Sequence, residues 1–593
     1  MNQKEFDKTN GFTTQPPRTI NGMRKKASRA LKRKLCTQKG LLSLLYSRLP
    51  VVKWLQHYKK DNLLPDVAAG VTLAIYNVPQ SMAYANLAGL PPVYGLYAAF
   101  FPPLIYFLLG TSNHISIGVF SLTSIMTGQA RSAILPNDAN GTAATDFEGL
   151  TDLTPIDVVV VLSFLTGVIQ VIMWLLHLSF LSTYLSDSVV SGLTFGAAIH
   201  AFVAQLSGLL GIRLGRTNQG VFQLLSKVKG LAVALPGTNV ATLTISIVTI
   251  SFLVSFKHFV DPILKKRKIP VPSELVVLIA ATIVSWSANL QERFNVKVVG
   301  EVPIGLPAPH IPLLEPVLVK HLIVPAAGIA VVAYAVTVSM GKLFARKHKY
   351  EIDTDQEMLA LGLAGSISSF FSVFPSSTSL SRSLVNEGAG ARTQVSGFVA
   401  ASVVLCVILV IAPLLEALPM CVLNSIVVVA LSSLIAKVTE LRTLWRFSKL
   451  DVVVYVVTAV VTVCWNIIEG LVSGVVVALL TIVVHTQRPS ISLLGEVGKS
   501  GYRSVVSYSQ AKRTTIPIVR FDSPVIFTNV ELLKSYVRRV VENETAVKEK
   551  SGENLAMAPN MKAVILDCNS WCYTDAMGIE AIKEVRNCFL LAN

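Results

Sequence analysis

The sequence predicts a polytopic α-helical membrane protein, and three observations carry that prediction: an apolar composition, a succession of apolar runs near membrane length, and basic clusters after particular runs. Of the 593 residues 52% are hydrophobic and 15% charged, with a mean hydropathy of +0.57; an ordinary soluble domain carries about a quarter charged residues. In a soluble chain the net charge of +17 would suggest nucleic acid as a partner. Here it is concentrated in loops and in the first segment, where it reads as orientation, so no nucleic acid is expected.

Residues 1–60 hold fifteen Lys or Arg against two acids, including RKKASRALKRK at 24–34. The positive-inside rule assigns this segment to the cytosol, either free or lying on anionic lipid. It has no apolar core of a cleavable signal peptide. Apolar runs follow at 67–88, 93–109, 117–134, 156–177, 187–211, 239–256, 273–289, 323–345, 356–374, 376–389, 394–412, 418–436, 450–467 and 471–485. They predict about 14 crossings, some of them partial. The basic clusters 257–268, 346–349 and 437–449 follow the sixth, eighth and twelfth runs, which all end inside if the N-terminus is inside. The loop 135–155 then falls outside and carries NGT at Asn140, an N-glycosylation acceptor pattern. All seven cysteines lie in apolar runs or in segments assigned to the cytosol, without metal-ligand spacing, so no disulfide or zinc framework is expected.

One stretch is too polar for lipid and too apolar for a loop. Between Ser366 and Ser383 there are ten Ser or Thr residues, with Pro375 and Arg382 among them. This composition predicts a broken helix lining a protein-enclosed cavity. A helix that starts inside a membrane protein points unpaired N–H groups and the positive end of its dipole at whatever lies before it, which makes an anion site. Ser376, Ser377, Thr378 and Ser379 are placed to cap that start, and Arg382 adds a full charge that is costly in a membrane without a purpose. The plainer alternative pairs Arg382 with Glu387. A second polar break, GTSNHISIGVFSLTSIMTG at 110–128, suggests an inverted repeat with the site between two half-helix starts; a continuous, slightly polar helix is the alternative.

The run LPDVAAGVTLAIYNVPQSMAYANLAGLPPVYGLYAAFFPPLIYFLLGTSNHISIG at 64–118 resembles the opening signature of the sulfate permease (SulP) family, solute carrier family 26. FPSSTSLSRSLVNEGAGARTQVSG at 374–397 is similar to its second signature. The resemblance implies a uracil-transporter-like fold of seven plus seven inverted spans. Its core domain, spans one to four and eight to eleven, moves against a gate domain with an anion held between the starts of spans three and ten. Carried onto this sequence, the family's anion site corresponds to Asn77, Gln80 and Tyr84 on span one, Phe120 at the start of span three, and Ser379, Ser381 and Arg382 at span ten. Amide and hydroxyl donors, aromatic edges and one fixed cation suit an anion, and no metal, redox cofactor or enzymatic chemistry is implied. Two departures bear on which anion is preferred: Val119 stands where many members have proline, so that the pre-set first turn of span three is lost and an N–H gained, and Asn77 stands where the longer glutamine is frequent. Span eight contains no carboxylate, which disfavours nucleobase transport and strong proton coupling. Glu274, at the start of span seven, is the remaining acid of interest; it reads first as a structural residue of the gate domain, with tuning of transport as the alternative.

After His485 the composition changes. TIPIVRFDSPVIFTN at 515–529 alternates like two short strands, LLKSYVRRVVENE is helical, and 561–587 reads as a buried strand, a loop and a helix starting near Asp575. This piece resembles a STAS domain, with the charged segment 543–560 as its variable insertion and with Ala576 where bacterial STAS proteins have a phosphorylated serine. It is expected to be incomplete. The organisation is therefore a basic cytosolic segment 1–60, a transmembrane domain 61–487 and a cytosolic STAS segment 488–593. The expected activity is secondary anion transport or exchange at the plasma membrane by an elevator-like movement, with chloride, bicarbonate, sulfate or oxalate as substrate. The partners expected are small inorganic or organic anions, the lipid bilayer and a second copy in a homodimer. A channel-like or voltage-responsive member of the prestin type is one alternative, and a non-transporting scaffold isoform another.

Overall fold

The computed structural model describes residues 49–135, 153–180, 186–212, 222–260, 273–300, 303, 305–498, 501–550 and 563–591. Most of the basic N-terminal segment and the Asn140 acceptor lie outside these residues. The chain divides into two compact units, residues 1–474 and 475–593.

The first unit is helical, and each apolar run of the sequence is occupied by a helix. A short α1 (Pro50–Gln56) precedes α2 (Leu63–Leu87) and α3 (Val93–Leu109). The strand β1 (Ile117–Gly118) then leads into α4 (Ser121–Ile134), α5 (Pro155–Leu175) and α6 (Asp187–Leu210). Next come α7 (Gln223–Ala234), α8 (Val240–Ser255), α9 (Ser273–Ala288) and the single turn α10 (Leu290–Phe294). The long α11 (Pro316–His348) and α12 (Thr354–Ser369) are followed by β2 (Ser377–Thr378), α13 (Leu380–Gly388) and α14 (Val395–Cys406). Last are α15 (Met420–Ile435), α16 (Glu440–Phe447), α17 (Lys449–Cys464) and α18 (Ile467–Gln487), which runs into the second unit. By length and composition six helices among the described residues are long and apolar enough to cross a membrane: Pro155–Leu175, Asp187–Leu210, Val240–Val260, Pro316–His348, Met420–Phe447 and Ile467–Gln487.

Helix starts follow the usual chemistry. Thr154 and Asp157 form a reciprocal capping box on α5, and Ser186, Asn239, Asp353 and Ser448 each accept a backbone N–H at the start of α6, α8, α12 and α17. Helices approach closely where glycine removes the side chain: a Cβ at Gly70 of α2 would lie 2.6 Å from the Ser396 carbonyl of α14, and one at Gly167 of α5 would overlap the Ser366 amide of α12.

Two buried carboxylates fix the loops that frame the two strands. Asp66 accepts from the Arg392 and Thr393 amides (2.6 and 3.0 Å) and from the Thr393 and Tyr58 hydroxyls (2.7 and 3.1 Å). Glu357 of α12 accepts from the Thr111 amide and hydroxyl (2.7 and 2.5 Å), the Ser112 amide (3.1 Å) and the Tyr106 hydroxyl (2.8 Å). Each acid ties segments more than two hundred residues apart, and each charge has the donors that burial demands.

In the second unit a four-stranded sheet has the order β4-β3-β5-β6, formed by β3 (Ile491–Glu496), β4 (Tyr502–Ser504), β5 (Lys512–Phe521) and β6 (Ile565–Asp567). Strand β3 is antiparallel to β4 and β5, while β5 and β6 are parallel and joined by α19 (Val530–Lys550), as a parallel pair requires. The helix α20 (Ala576–Leu591) follows, and the Asp575 carboxylate accepts from the Gly578 and Phe527 amides, both at 2.8 Å. Three details differ from the sequence reading. Residues 515–529 supply one strand and an isolated bridge between Val525 and Thr574, because the chain turns at Asp522–Pro524 and proline has no N–H to give a ladder. Strand β6, read in the sequence as buried, is an edge strand with Ile565 47% exposed, since among the described residues it pairs only with β5. Residues 543–550, read in the sequence as the first part of the charged insertion 543–560, continue α19.

Candidate functional site

Both polar stretches of the sequence are breaks in helical structure, and they meet. Strand β1 pairs antiparallel with β2 through Ile117 with Thr378 and Gly118 with Ser377. The Ser379 amide donates to the Ser116 carbonyl (3.4 Å), and the Ser116 amide donates to the Ser383 hydroxyl (3.0 Å). The crossing delivers the start of α4 at Ser121 and the start of α13 at Leu380 to one place. Residues 119–120 and 379 are the only links between strand and helix, so neither start can move far from the crossing.

Neither helix is capped by a side chain. Phe120 and Ser379 occupy the cap positions with extended backbone, and no side-chain bond closes either end. The serine run therefore does something other than capping. The Ser377 hydroxyl donates to the Ala333 carbonyl of α11 (3.1 Å), that of Ser383 donates to Ser379 O (2.8 Å), and those of Ser379 and Ser381 lie 3.1 Å apart. These bonds hold the strand crossing and leave the N-terminal donors of both helices and their positive dipole ends open to a ligand. Val119 stands two residues before the first helical residue of α4. A proline at that position would lie in the strand-to-helix connection, so the expectation that its absence costs α4 a pre-set first turn is corrected.

Arg382, on the first turn of α13, is 1% exposed. Its Nη1 donates to Asn77 Oδ1 of α2 at 3.2 Å, while Nε and Nη2 are buried with no hydrogen-bond partner among the described residues. The pairing with Glu387 does not occur: Glu387 binds Lys347 Nζ (2.7 Å) and His348 Nε2 (2.9 Å). No other acid takes its place among the described residues. A buried cation with two idle donors is costly unless something negative occupies the space before them.

The remaining sequence candidates lie around this cation to different degrees. Gln80 Nε2 donates to the Tyr84 hydroxyl (3.3 Å), its Oε1 is buried and unpaired, and Tyr84 is 6% exposed, with the Ser121 hydroxyl, Arg382 and Glu274 of α9 all within electrostatic reach. Phe120 is buried one residue before Ser121, and Ser381 is exposed on the turn of α13 that carries Arg382. Asn77 acts differently from the donor role expected for it. Its carbonyl oxygen faces Arg382, so it orients the guanidinium.

Several residues of the site gave no signal in the sequence. Gly118 has φ +149°, a backbone region that side chains rarely adopt, and a Cβ there would lie 3.3 Å from Arg382 Nη2. Gln394 donates to the Ser112 and Ile115 carbonyls (2.7 and 3.0 Å), and Asn386 donates to the His114 carbonyl (3.1 Å), fixing the approach to β1 from α14 and α13. Replacing Gly118 by alanine is expected to strain β1 and displace Arg382, raising the half-saturating anion concentration roughly tenfold, about the effect of one lost hydrogen bond to a charged group; concentration dependence of flux in cells with matched surface protein is the check.

Two broken helices meeting at strand ends inside a bundle of apolar helices, with a buried unpaired cation at the junction, define a helical membrane transporter. The chain matches the sulfate permease family over residues 63–458 and the STAS domain over residues 508–591. It belongs to the sulfate permease family, solute carrier family 26. Human solute carrier family 26 member 6 is 38% identical over 507 residues, which cover 85% of this chain and 66% of that protein. Human prestin is 34% identical over 548 residues, covering 89% of this chain and 73% of prestin. The structure of the murine solute carrier 26 family member A9 anion transporter in the inward-facing state superposes with a TM-score of 0.80 at 28% identity, over 100% of this chain and 90% of that one. The chain thus spans about two thirds of the length of the first of these relatives.

Proposed function

We propose that the protein is a secondary anion transporter that holds its substrate between the starts of α4 and α13, against Arg382. The observation that carries this reading is the guanidinium itself: buried, oriented by Asn77 and, among the described residues, without an acid and with no acceptor for Nε and Nη2. Donors of this kind suit a partly dehydrated chloride, bicarbonate, sulfate or oxalate, with Gln80, Tyr84, Phe120, Ser379 and Ser381 completing the surroundings. The relation to a protein described as an anion transporter supports the same class.

Fourteen spans in a seven-plus-seven arrangement, with the N-terminus and the STAS segment in the cytosol and Asn140 outside, account for the charge distribution and for two opposed breaks. Exchange or uniport at the plasma membrane fits better than proton coupling, since α11 carries no carboxylate. Glu274, near Tyr84, is the acid suited to tune the loaded site. A homodimer is the expected assembly, as the family resemblance implies. The similarity to prestin keeps a voltage-responsive, weakly transporting mode as the second reading.

An elevator-like movement of the core, which includes α2, against the gate, which includes α15, must break the hydrogen bond from Asn86 Nδ2 to Asn424 Oδ1 (2.5 Å). Asn86→Ala is expected to raise the maximal transport rate severalfold with little change in apparent affinity if opening this contact limits turnover, a split that concentration-dependent flux resolves. The function itself is tested by uptake of labelled sulfate, oxalate and chloride into proteoliposomes carrying the 593-residue chain, with and without a trapped counter-anion. Uptake that depends on the internal anion is the expected result. Absence of uptake from oriented, folded protein would favour the second reading.

A further inference from the structure

A second cationic feature lies away from the transport site, at the end of α11. Lys342, Arg346 and Lys349 line an open recess of about 410 Å³ together with Ala345, Tyr350, Glu351 and Ile352. None of the three cations forms an ion pair among the described residues. The recess is built by the way the helix stops. Lys349 takes a left-handed conformation (φ +56°), the Lys349 and Tyr350 amides return to the Ala345 carbonyl, and the chain folds back so that Ile352 packs on Gly341. The Tyr350 hydroxyl, 3.0 Å from that of Ser112, anchors the returning segment.

Cations near a helix C-terminus are ordinary, because they complement the dipole there and mark the cytosolic side of a span. That account covers Arg346, Lys347 and His348, which are in the last turn, the latter two neutralised by Glu387. It does not cover Lys342, which lies before the last turn and four residues from Arg346. Positions 342 and 346 share one face of the helix, with Lys349 at its C-cap, and like charges at i,i+4 destabilise a helix by a few tenths of a kcal/mol per pair. A bound anion offsets that repulsion. A guanidinium fork with two flanking ammonium groups matches phosphate oxygens better than a small halide. The helix is 33 residues long, roughly 50 Å at 1.5 Å per residue, more than a bilayer's hydrocarbon core, so its basic end reaches headgroup level, with exposed Leu343 beside Lys342 for an acyl chain.

We propose that this recess binds phosphate monoester groups, as on a phosphoinositide headgroup, at a site separate from the transported anion. The single carboxylate, Glu351, opposes binding and sets its strength. Thermal unfolding of the detergent-purified full chain tests this with four probes: short-chain phosphatidylinositol bisphosphate, short-chain phosphatidylcholine, inositol trisphosphate and inorganic phosphate. The bisphosphate lipid is expected to stabilise the protein saturably and phosphatidylcholine not to. Stabilisation by the lipid alone assigns the source to the membrane; equal stabilisation by inositol trisphosphate or phosphate assigns it to soluble phosphates. The double variant K342Q/R346Q should weaken the half-effective concentration by roughly fivefold per cation removed, and Glu351→Gln should strengthen it, a gain that misfolding cannot imitate. The proposal is overturned if no phosphate probe stabilises the chain, or if the half-effective concentration is the same in K342Q/R346Q, in Glu351→Gln and in the unsubstituted protein.

Discussion

Replacing Arg382 by glutamine is expected to remove saturable anion transport while leaving the protein folded and at the cell surface. Glutamine keeps much of the length and one amide donor toward Asn77 but loses the charge and the two idle donors, Nε and Nη2. Hydrogen bonds from a charged group contribute about 1.5–3 kcal/mol each, so losing even one lowers affinity roughly tenfold to a hundredfold, and the lost charge adds to that. Arg382→Lys keeps the charge without the fork and is expected to be intermediate, with weaker binding of oxyanions than of halides. Flux against anion concentration, normalised to surface protein, separates these outcomes. Folding is not expected to suffer from the glutamine variant, because no acid depends on Arg382 for neutralisation.

Glu357→Ala is expected to act through the opposite route. It leaves the Tyr106 hydroxyl, both Thr111 donors and the Ser112 amide without their shared acceptor in a buried place. Each buried unsatisfied donor costs about 1–3 kcal/mol, and partial relaxation brings the total to roughly 3–5 kcal/mol, a large share of the 5–15 kcal/mol that holds an ordinary domain folded. The expected result is a lower thermal midpoint and a sharp fall in the surface fraction, with Glu357→Gln only partly rescuing because its amide group meets donors where an oxygen stood. If Glu357→Ala instead reached the surface normally and lost only transport, the loop 110–116 would be a functional element and not a structural one.

The contrast between these residues explains how much could be read from sequence. Arg382 was visible because a lone arginine among serines, between apolar runs, has no acid at helical spacing, the nearest, Glu387, lying five residues on. The two breaks were visible because hydroxyls interrupt hydrophobic runs at Ser112–Thr123 and Ser366–Ser383. What the sequence hid was every partner set by distant contact. Asn77 and Arg382 are 305 positions apart, and Glu387 was claimed by Lys347 and His348 of another helix. Glu357 is one of two acids in the first turn of α12, and nothing local announces that Tyr106, Thr111 and Ser112 converge on it. Gly118 is one glycine among 36, and only the backbone at φ +149° with Arg382 beside it reveals why a side chain is excluded there. The serines were misassigned as helix caps for a related reason: capping is the commonest local use of such residues, but here strand pairing places them against α11 and against one another.

The strands themselves follow the same logic. Two residues on each side are too short to pair on their own, and β1 and β2 exist because α3 and α11 pack on them while Asn386 of α13 and Gln394 at the start of α14 hold the loop before β1. Burial of polar backbone in a membrane protein requires such enclosure.

Equilibrium binding of labelled chloride, sulfate and oxalate to the purified full-length chain, with and without Arg382→Gln, tests the anion site most directly, because it needs neither orientation nor turnover. The account predicts saturable binding of at least one of these anions to the unsubstituted chain, displaced by the competing anions that share the site, and loss of that binding in the variant with the fold intact. Saturable binding with unchanged affinity in Arg382→Gln would contradict it.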